Sequence, residues 1–361
     1  MGDVVPRRAP ISPNRIPRGA LSLELPVATL ADEIETPGAG RIRGLITIAG
    51  NPVLSAPNGG RLDRALASLE HVVAVDLYLN ETTRHAHVLL PPAPPLSRGH
   101  YDLALYAFAV RNVAKYSEPV VERQSSERHD WEIVADLSAR MFAPRVLRWL
   151  ATRALRAVHP ERLLDAGLRF GPHRLTLAQL RRSPHGVDLG PLEPGRMVRS
   201  IGTADGKIDI APADFTREAR DRLLVDVKAE TNGDLLLIGR RQLRSNNSWM
   251  HNSHRLVKGK PRCTLLIHPH DATGRGLADG DVVRLESKAA AVTVAIEVTD
   301  TMLPGVVSLP HGWGHTRAGT QLTVAHHHPG TSMNDVTSEF DIDTLSGTAA
   351  FNGVAVSVTR A

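Results

Sequence analysis

Leu45–Ala49 is a short apolar run that stops at Gly50-Asn51-Pro52, and Val72–Val75 is a second that stops at Asp76. Between them Leu62, Leu66 and Leu69 recur at helical spacing. Strand, helix, strand at this separation is a βαβ unit, because parallel strands need a crossover of a dozen or more residues. His87–Leu90 is a third apolar run, closed by Pro91-Pro92. The expected fold class is therefore α/β, beginning with a Rossmann-like parallel sheet. Ligands of such sheets bind beyond the carboxyl ends of the strands, where Gly50-Asn51-Pro52 and Asp76 both fall.

The rest of the chain reads differently. Residues 1–40 are rich in Pro, Arg and Gly without a sustained period, and are expected to form an N-terminal arm or linker. The sheet region is expected over 41–125. Residues 126–232 read as a helical and irregular connection: Asp130 is a candidate N-cap, and Ile133, Leu137 and Met141 follow on one face. Lys207–Ile210 is a brief strand-like stretch within it. From 233 to 361 short β runs dominate: Leu235–Ile238, Cys263–His268, Val282–Ser287, Val292–Val298, Val306–Leu309 and Val354–Val358. Many short strands with glycine punctuation predict a closed barrel.

The chain has 361 residues, a formal net charge of +5 and one cysteine, Cys263. An iron–sulfur cluster takes about four thiolates, so none is expected within this chain. Cys263 sits in an apolar run and reads as a small core residue. No run of 18 apolar residues is present, so no membrane span is expected. Without a signal peptide pattern, a cytoplasmic location is the default expectation. Arg145, Arg148, Arg153, Arg156, Arg162, Arg169 and Arg174 make one region basic. Few aromatic residues accompany them, which argues against nucleic acid and for solvated faces or a face that docks an acidic partner.

Two sets of residues carry the candidate chemistry. In the first, Gly50 permits close backbone approach, and the loop leads to Gly59-Gly60 and a helix N-terminus, whose free N–H groups favour phosphate. Asp76 can accept from a ribose hydroxyl or the N–H edge of guanine; an ordinary turn is the plainer alternative. The loop lacks the GxGxxG pattern, which disfavours a nicotinamide dinucleotide and hence an NAD-dependent dehydrogenase. In the second set, Arg240 follows a strand and Gly239, and Ser245, Asn246, Asn247 and Trp249 come next. Arginine suits a bidentate phosphate contact, and asparagine can donate and accept against a heterocycle edge. A polar loop capping a barrel is the alternative. His326-His327-His328 lacks a partner at metal-ligand spacing and reads as a solvent loop. His251, His254 and His268 are candidates for proton transfer, since imidazole titrates near neutrality.

Taken in order, LITIAGNPVLSAPNGG (45–60), VVAVDLYLNETTRHAHVLLPP (72–92), LLIGRRQLRSNNSW (236–249), PHGWGH (310–315) and the Asn334–Thr337 segment resemble the C-terminal half of the molybdopterin oxidoreductases. That family, the dimethyl sulfoxide reductase superfamily, includes formate dehydrogenases and nitrate reductases. The resemblance implies that the barrel is a double-psi β-barrel and that the chain binds molybdopterin guanine dinucleotide carrying molybdenum or tungsten. It implies cofactor contacts at Gly50, Asn51, Pro52 and Asp76, and at Glu81 and Thr82. On the barrel it implies contacts at His311, Trp313, Gly314, His315 and Asn334. His87 stands where the family usually has Asp, and Val336 where it has Leu.

The implied activity is a formate-dehydrogenase-like oxidoreductase acting on a small molecule. Family members carry their cluster cysteines and metal ligand upstream of this region, so no catalytic residue is assigned. The expected partner is a polypeptide supplying the N-terminal half or an iron–sulfur electron-transfer protein. A non-enzymatic cofactor-binding module or an inactive truncated product is the competing expectation.

Overall fold

A computed structural model describes residues 25–38, 40–195, 198, 200–223, 235–343 and 345–361. The expected arm over 1–40 lies mostly outside these residues. Its described end holds a short helix instead, α1 (Leu30–Glu35), whose Ala31 and Ile34 are buried. Six residues are too few to show a period in sequence, which is why this helix is not legible there.

Strands β1 (Gly44–Ile48), β2 (His71–Val75) and β3 (Val88–Leu89) pair in parallel in that order. The one-turn helix α2 (Pro52–Ser55) starts on Pro52, whose missing N–H costs nothing in a first turn. Helix α3 (Gly59–Ala67) follows, capped by the Asn58 side chain, which accepts from the Arg61 amide at 3.1 Å. The expected Leu62, Leu66 and Leu69 are all buried there, against Ile34, Val53 and Val72. The βαβ expectation is met.

The connection begins with short strands β4 (His100–Tyr101), β5 (Arg111–Ala114) and β6 (Tyr116–Ser117), and β4 pairs with β6. Helices α4 (Asp130–Phe142), α5 (Arg148–Ala157), α6 (Pro160–Phe170) and α7 (Leu177–Arg181) follow, then strand β7 (Val187–Pro191), which pairs with β5. Asp130 is the first helical residue of α4, and the cap is His129, whose amide donates to Glu132 Oε2 at 2.8 Å. Lys207–Ile210 forms no strand; exposed side chains on both faces give it nothing to pack on. Helix α8 (Ala213–Glu218) closes this part.

The six expected short strands become β8 (Leu235–Arg240), β9 (Leu265–Ile267), β10 (Val282–Glu286), β11 (Ala291–Val298), β12 (Val306–Pro310) and β13 (Val354–Arg360). Two short helices, α9 (His254–Val257) and α10 (Pro269–Gly274), lie between them. The strands close into a barrel in the order β10-β11-β9-β12-β8-β13. Pairs β8–β12 and β9–β11 are parallel and the others antiparallel. Inward residues alternate with outward ones: Val283 and Leu285 are buried, while Val282, Arg284 and Glu286 are exposed. Leu237, Leu265, Ile267, Leu285 and Leu309 fill the interior. Leu237→Ala is expected to cost about 2–5 kcal/mol, since the cavity left adds to the lost transfer energy. Urea denaturation checks this against Leu243→Ala, an exposed position where a loss above about 0.5 kcal/mol is not expected.

Sheet and barrel are tied by polar contacts. Asn334 Nδ2 donates to the Leu54 carbonyl at 2.6 Å, and the Asn58 amide to the Thr337 carbonyl at 3.0 Å. Arg61 bridges Asp32, Glu35 and Glu339. Asp63 accepts from Arg84, Arg317 and His85. Burial alone would raise the Asp63 pKa, but these three partners override it and bring it down to about 2.

Candidate functional site

The loop after β1 stands between two clefts. Ala49 there has φ of 50°, and Gly50 and Asn51 line both clefts, as do Ser248 and Trp249 of the barrel loop after β8. The first cleft, about 630 Å³, runs between α2 and the barrel mouth and reaches Arg240, Arg241, Asn247, His311 and Asn334. The second, about 330 Å³, opens beyond the carboxyl ends of β1 and β2 and reaches Asp76, Tyr78 and His315. A ligand long enough to span both clefts suits this arrangement better than a compact one.

Of the sequence-derived residues, Gly50, Asn51, Asp76, Arg240, Asn247, Trp249, His311, His315 and Asn334 line one cleft or both. Asp76 Oδ1 accepts from the Tyr78 amide at 3.1 Å, and Oδ2 from Asn80 at 3.2 Å. Burial raises its pKa despite these bonds. Its carboxylate remains turned to the rim, where it can accept further.

Arg240 is used otherwise than its position in sequence implies. Its guanidinium donates to the carbonyls of Ser308, Arg262 and Thr264, so its charge is spent on the barrel backbone. The adjacent Arg241, which the sequence reading passed over, is exposed and contacts both Asn247 Oδ1 and His311 Nε2. Burial, and then the Arg241 charge, lowers the His311 pKa. Arg241 is thus the cation available to an anion in the first cleft. The exchange comes from what lies within reach: Arg240, the last residue of β8, meets the carbonyls of Ser308, Arg262 and Thr264, while Arg241 lies just past the strand.

Two glycines shape the loop after β12, of which Gly312 lines the first cleft and Gly314 lines neither. Gly312, at φ of 88°, backs onto Asn247, and a Cβ there would lie 2.3 Å from the Asn247 carbonyl oxygen. Gly314, at φ of 117°, presses on Ser332, with 2.7 Å left for a Cβ. Both need a left-handed backbone and no side chain. Pro52 begins α2, and Asn246 is exposed with φ of 41° on the loop beside Asn247.

The remaining residues form a buried chain behind the clefts. Glu81 and Thr82 are fully buried and line neither cleft. Asn51 Nδ2 donates to Glu81 Oε2 at 2.7 Å, and Thr82 Oγ1 donates to Asn51 Oδ1 at 2.7 Å. Glu81 Oε1 lies 2.8 Å from His315 Nδ1, His315 Nε2 lies 2.9 Å from His251 Nδ1, and His251 Nε2 lies 2.8 Å from Ser245 Oγ. The carboxylate accepts, so His315 donates from Nδ1. Trp313 stacks on His251 with ring centroids 3.8 Å apart. The chain runs from the sheet side (Glu81) into the barrel loops (His315, His251, Ser245). Burial pushes the Glu81 pKa up, but His315 and Asn51 outweigh it and hold it low. Burial, and then the neighbouring His315, lowers the His251 pKa to about 3. His251 was singled out in sequence alongside His254 and His268, and the fold distinguishes it from them.

The two clefts together offer a cation, amide donors and acceptors, a ring face and a carboxylate. Arg241, Asn247 and His311 line the first cleft, Trp249 lines both, and Asp76 lines the second. Among the described residues no group of three His, Cys, Asp or Glu side chains could hold a metal ion. No helix among them is long and apolar enough to cross a membrane.

Comparison with known proteins matches the two ends of the chain to two families. Residues 11–140 match the family described as molybdopterin oxidoreductase, and residues 235–355 the one described as molydopterin dinucleotide binding domain. The chain is 24% identical over 276 residues to the NADPH-Fe(3+) oxidoreductase subunit alpha of Geobacter sulfurreducens, spanning 75% of this chain and 27% of that protein. It is 22% identical over 333 residues to the dimethyl sulfoxide/trimethylamine N-oxide reductase of Rhodobacter capsulatus, spanning 80% and 39% respectively. Acetylene hydratase from Pelobacter acetylenicus has the same fold, with a TM-score of 0.70 and 18% identity over 92% of this chain and 46% of that one. The chain thus spans less than half the length of these relatives.

Proposed function

The chain belongs to the molybdopterin oxidoreductase family, and on that premise we propose that it binds molybdopterin guanine dinucleotide across the two clefts. The observation that carries this is the meeting of both clefts at Gly50-Asn51 and Ser248-Trp249, with an exposed guanidinium, Arg241, on one side and a strand-end carboxylate, Asp76, on the other. In this reading residues 41–125 and 233–361 are the two binding units, the latter a double-psi β-barrel, and 126–232 connect them. Asp76 accepts from the guanosine end. Arg241, Asn247 and His311 hold the diphosphate. Trp249 and Asn334 line the path to the pterin. Arg240, Glu81, Thr82, Ser245, Trp313 and His315 position these groups.

The bound group, carrying molybdenum or tungsten, supplies two-electron redox chemistry. This chain's residues bind it, orient it and exclude water from the diphosphate. The proposed activity is formate-dehydrogenase-like oxidoreduction, and any iron–sulfur cluster is supplied by residues outside this chain, since Cys263 is its sole cysteine. The corresponding partner is a polypeptide that carries those cysteines. Arg241→Ala is expected to lower affinity for the guanine dinucleotide about tenfold to a hundredfold, the worth of one charge-assisted hydrogen bond. Arg240→Ala should instead lower stability, because its carbonyl partners in the barrel are left bare. Titration of GMP released on denaturation, beside a thermal melt, separates the two. Equal retention of GMP by Arg241→Ala and wild type would remove Arg241 from the site.

A further inference from the structure

The end of α4 and the whole of α5 carry a surface that the cofactor clefts do not use. Between Asp130 and Arg182 there are ten arginines against five carboxylates, an excess equal to the net +5 of the entire chain. The carboxylates are already engaged: Asp136 with Arg128 and Arg156, Asp165 with Arg169, Glu132 with Arg123, Asp130 with Arg98, and Glu161 with Arg181. Arg145, Arg148 and Arg153 have no ion pair among the described residues. Interleaved with them, Phe142 is 80% exposed, Val146 89% and Trp149 72%. Arg153 lies over the Trp149 ring at 5.7 Å.

These apolar side chains line none of the four principal cavities among the described residues, and all three stand well exposed. A protein partner of the ordinary kind is met by anchors seated in pockets with charges paired by position. A lipid surface asks for less: aromatic and aliphatic side chains at one level, with cations around them and no acid among them. We propose that α5 and the preceding turn dock this protein peripherally on an anionic lipid surface, with Phe142, Val146 and Trp149 entering the headgroup layer and Arg145, Arg148 and Arg153 meeting the lipid phosphates.

The test is co-sedimentation of the full chain with vesicles of phosphatidylcholine alone and with added phosphatidylglycerol, followed by Trp fluorescence. Binding is expected only to the phosphatidylglycerol vesicles, with a blue shift of emission and loss of binding at high salt. Reversing the charge at Arg145, Arg148 and Arg153 together should weaken binding by at least about a hundredfold, each arginine near an anionic surface being worth several-fold. Trp149→Ala, an exposed single change that leaves the fold intact, should weaken binding and abolish most of the blue shift. The proposal is overturned if anionic vesicles leave the chain in solution, as they would were this face a protein interface. Binding that survives both variants overturns it equally.

Discussion

Glu81→Ala is expected to cost about 3–5 kcal/mol, the range seen when one member of a buried polar or charged pair is removed. Both carboxylate oxygens are in use, one toward His315 and one toward Asn51, and the side chain is fully buried. Removing it leaves His315 Nδ1 and Asn51 Nδ2 without acceptors where water has no access. The loss should reach the clefts, because Asn51 lines both and is held by Glu81 and Thr82. Glu81→Gln keeps an acceptor for one of the two donors and should cost less. Urea denaturation of both variants, with a cycle against His315→Asn, measures the coupling. A loss below about 1 kcal/mol for Glu81→Ala would mean that the chain of hydrogen bonds holds nothing together.

The second large effect is on pH dependence. His251 titrates at about 3 in the folded protein, against an ordinary value of 6.5. Between these values the unfolded chain takes up a proton that the native state refuses, so stability is fully present above about 6.5 and falls as the pH drops. The slope from this residue is about 1.4 kcal/mol per pH unit, or about 5 kcal/mol over the whole window. The carboxylates act lower. Glu81 and Asp63 both have depressed folded pKa values. Their contributions are present above their ordinary pKa and lost as the pH falls through the lowered ones, for Asp63 between 3.8 and about 2. A fall in stability between pH 6.5 and 5 therefore belongs to His251 more than to any carboxylate. Denaturant midpoints at pH 7.5 and 5.0 should differ in the wild type and much less in His251→Gln. An unchanged slope in the variant would assign the pH dependence elsewhere.

Six barrel strands were legible in the sequence because one face of each is buried, which imposes alternation such as that of Val282 to Glu286. The βαβ unit was legible because Val72, Ala74 and Val75 of β2 are buried and Leu62, Leu66 and Leu69 share one buried cluster with Val72. Side-chain direction at the site was less legible. Arg240 and Arg241 are neighbours of the same type, and only the barrel carbonyls within reach of Arg240 decide which of them faces the cleft exposed. Glu81, His251, His315 and Ser245 come from distant segments, so nothing in their spacing signals that they form one chain. Glu81, Ser245 and His315 were read as contacts to the cofactor; Glu81 and Ser245 lie behind the clefts, while His315 joins the chain and still reaches the second cleft. The spacing of Ile133, Leu137 and Met141 matched helix α4, but of the three only Ile133 is buried, and Met141 is 60% exposed.

The most direct test of the central claim is metal and nucleotide analysis of the protein purified from its native host. Molybdenum or tungsten together with GMP released on acid treatment is the predicted result, with GMP diminished in Arg241→Ala. Protein that is folded by circular dichroism yet carries neither metal nor GMP, and that takes up no guanine dinucleotide cofactor when it is supplied, would contradict the assignment of the two clefts.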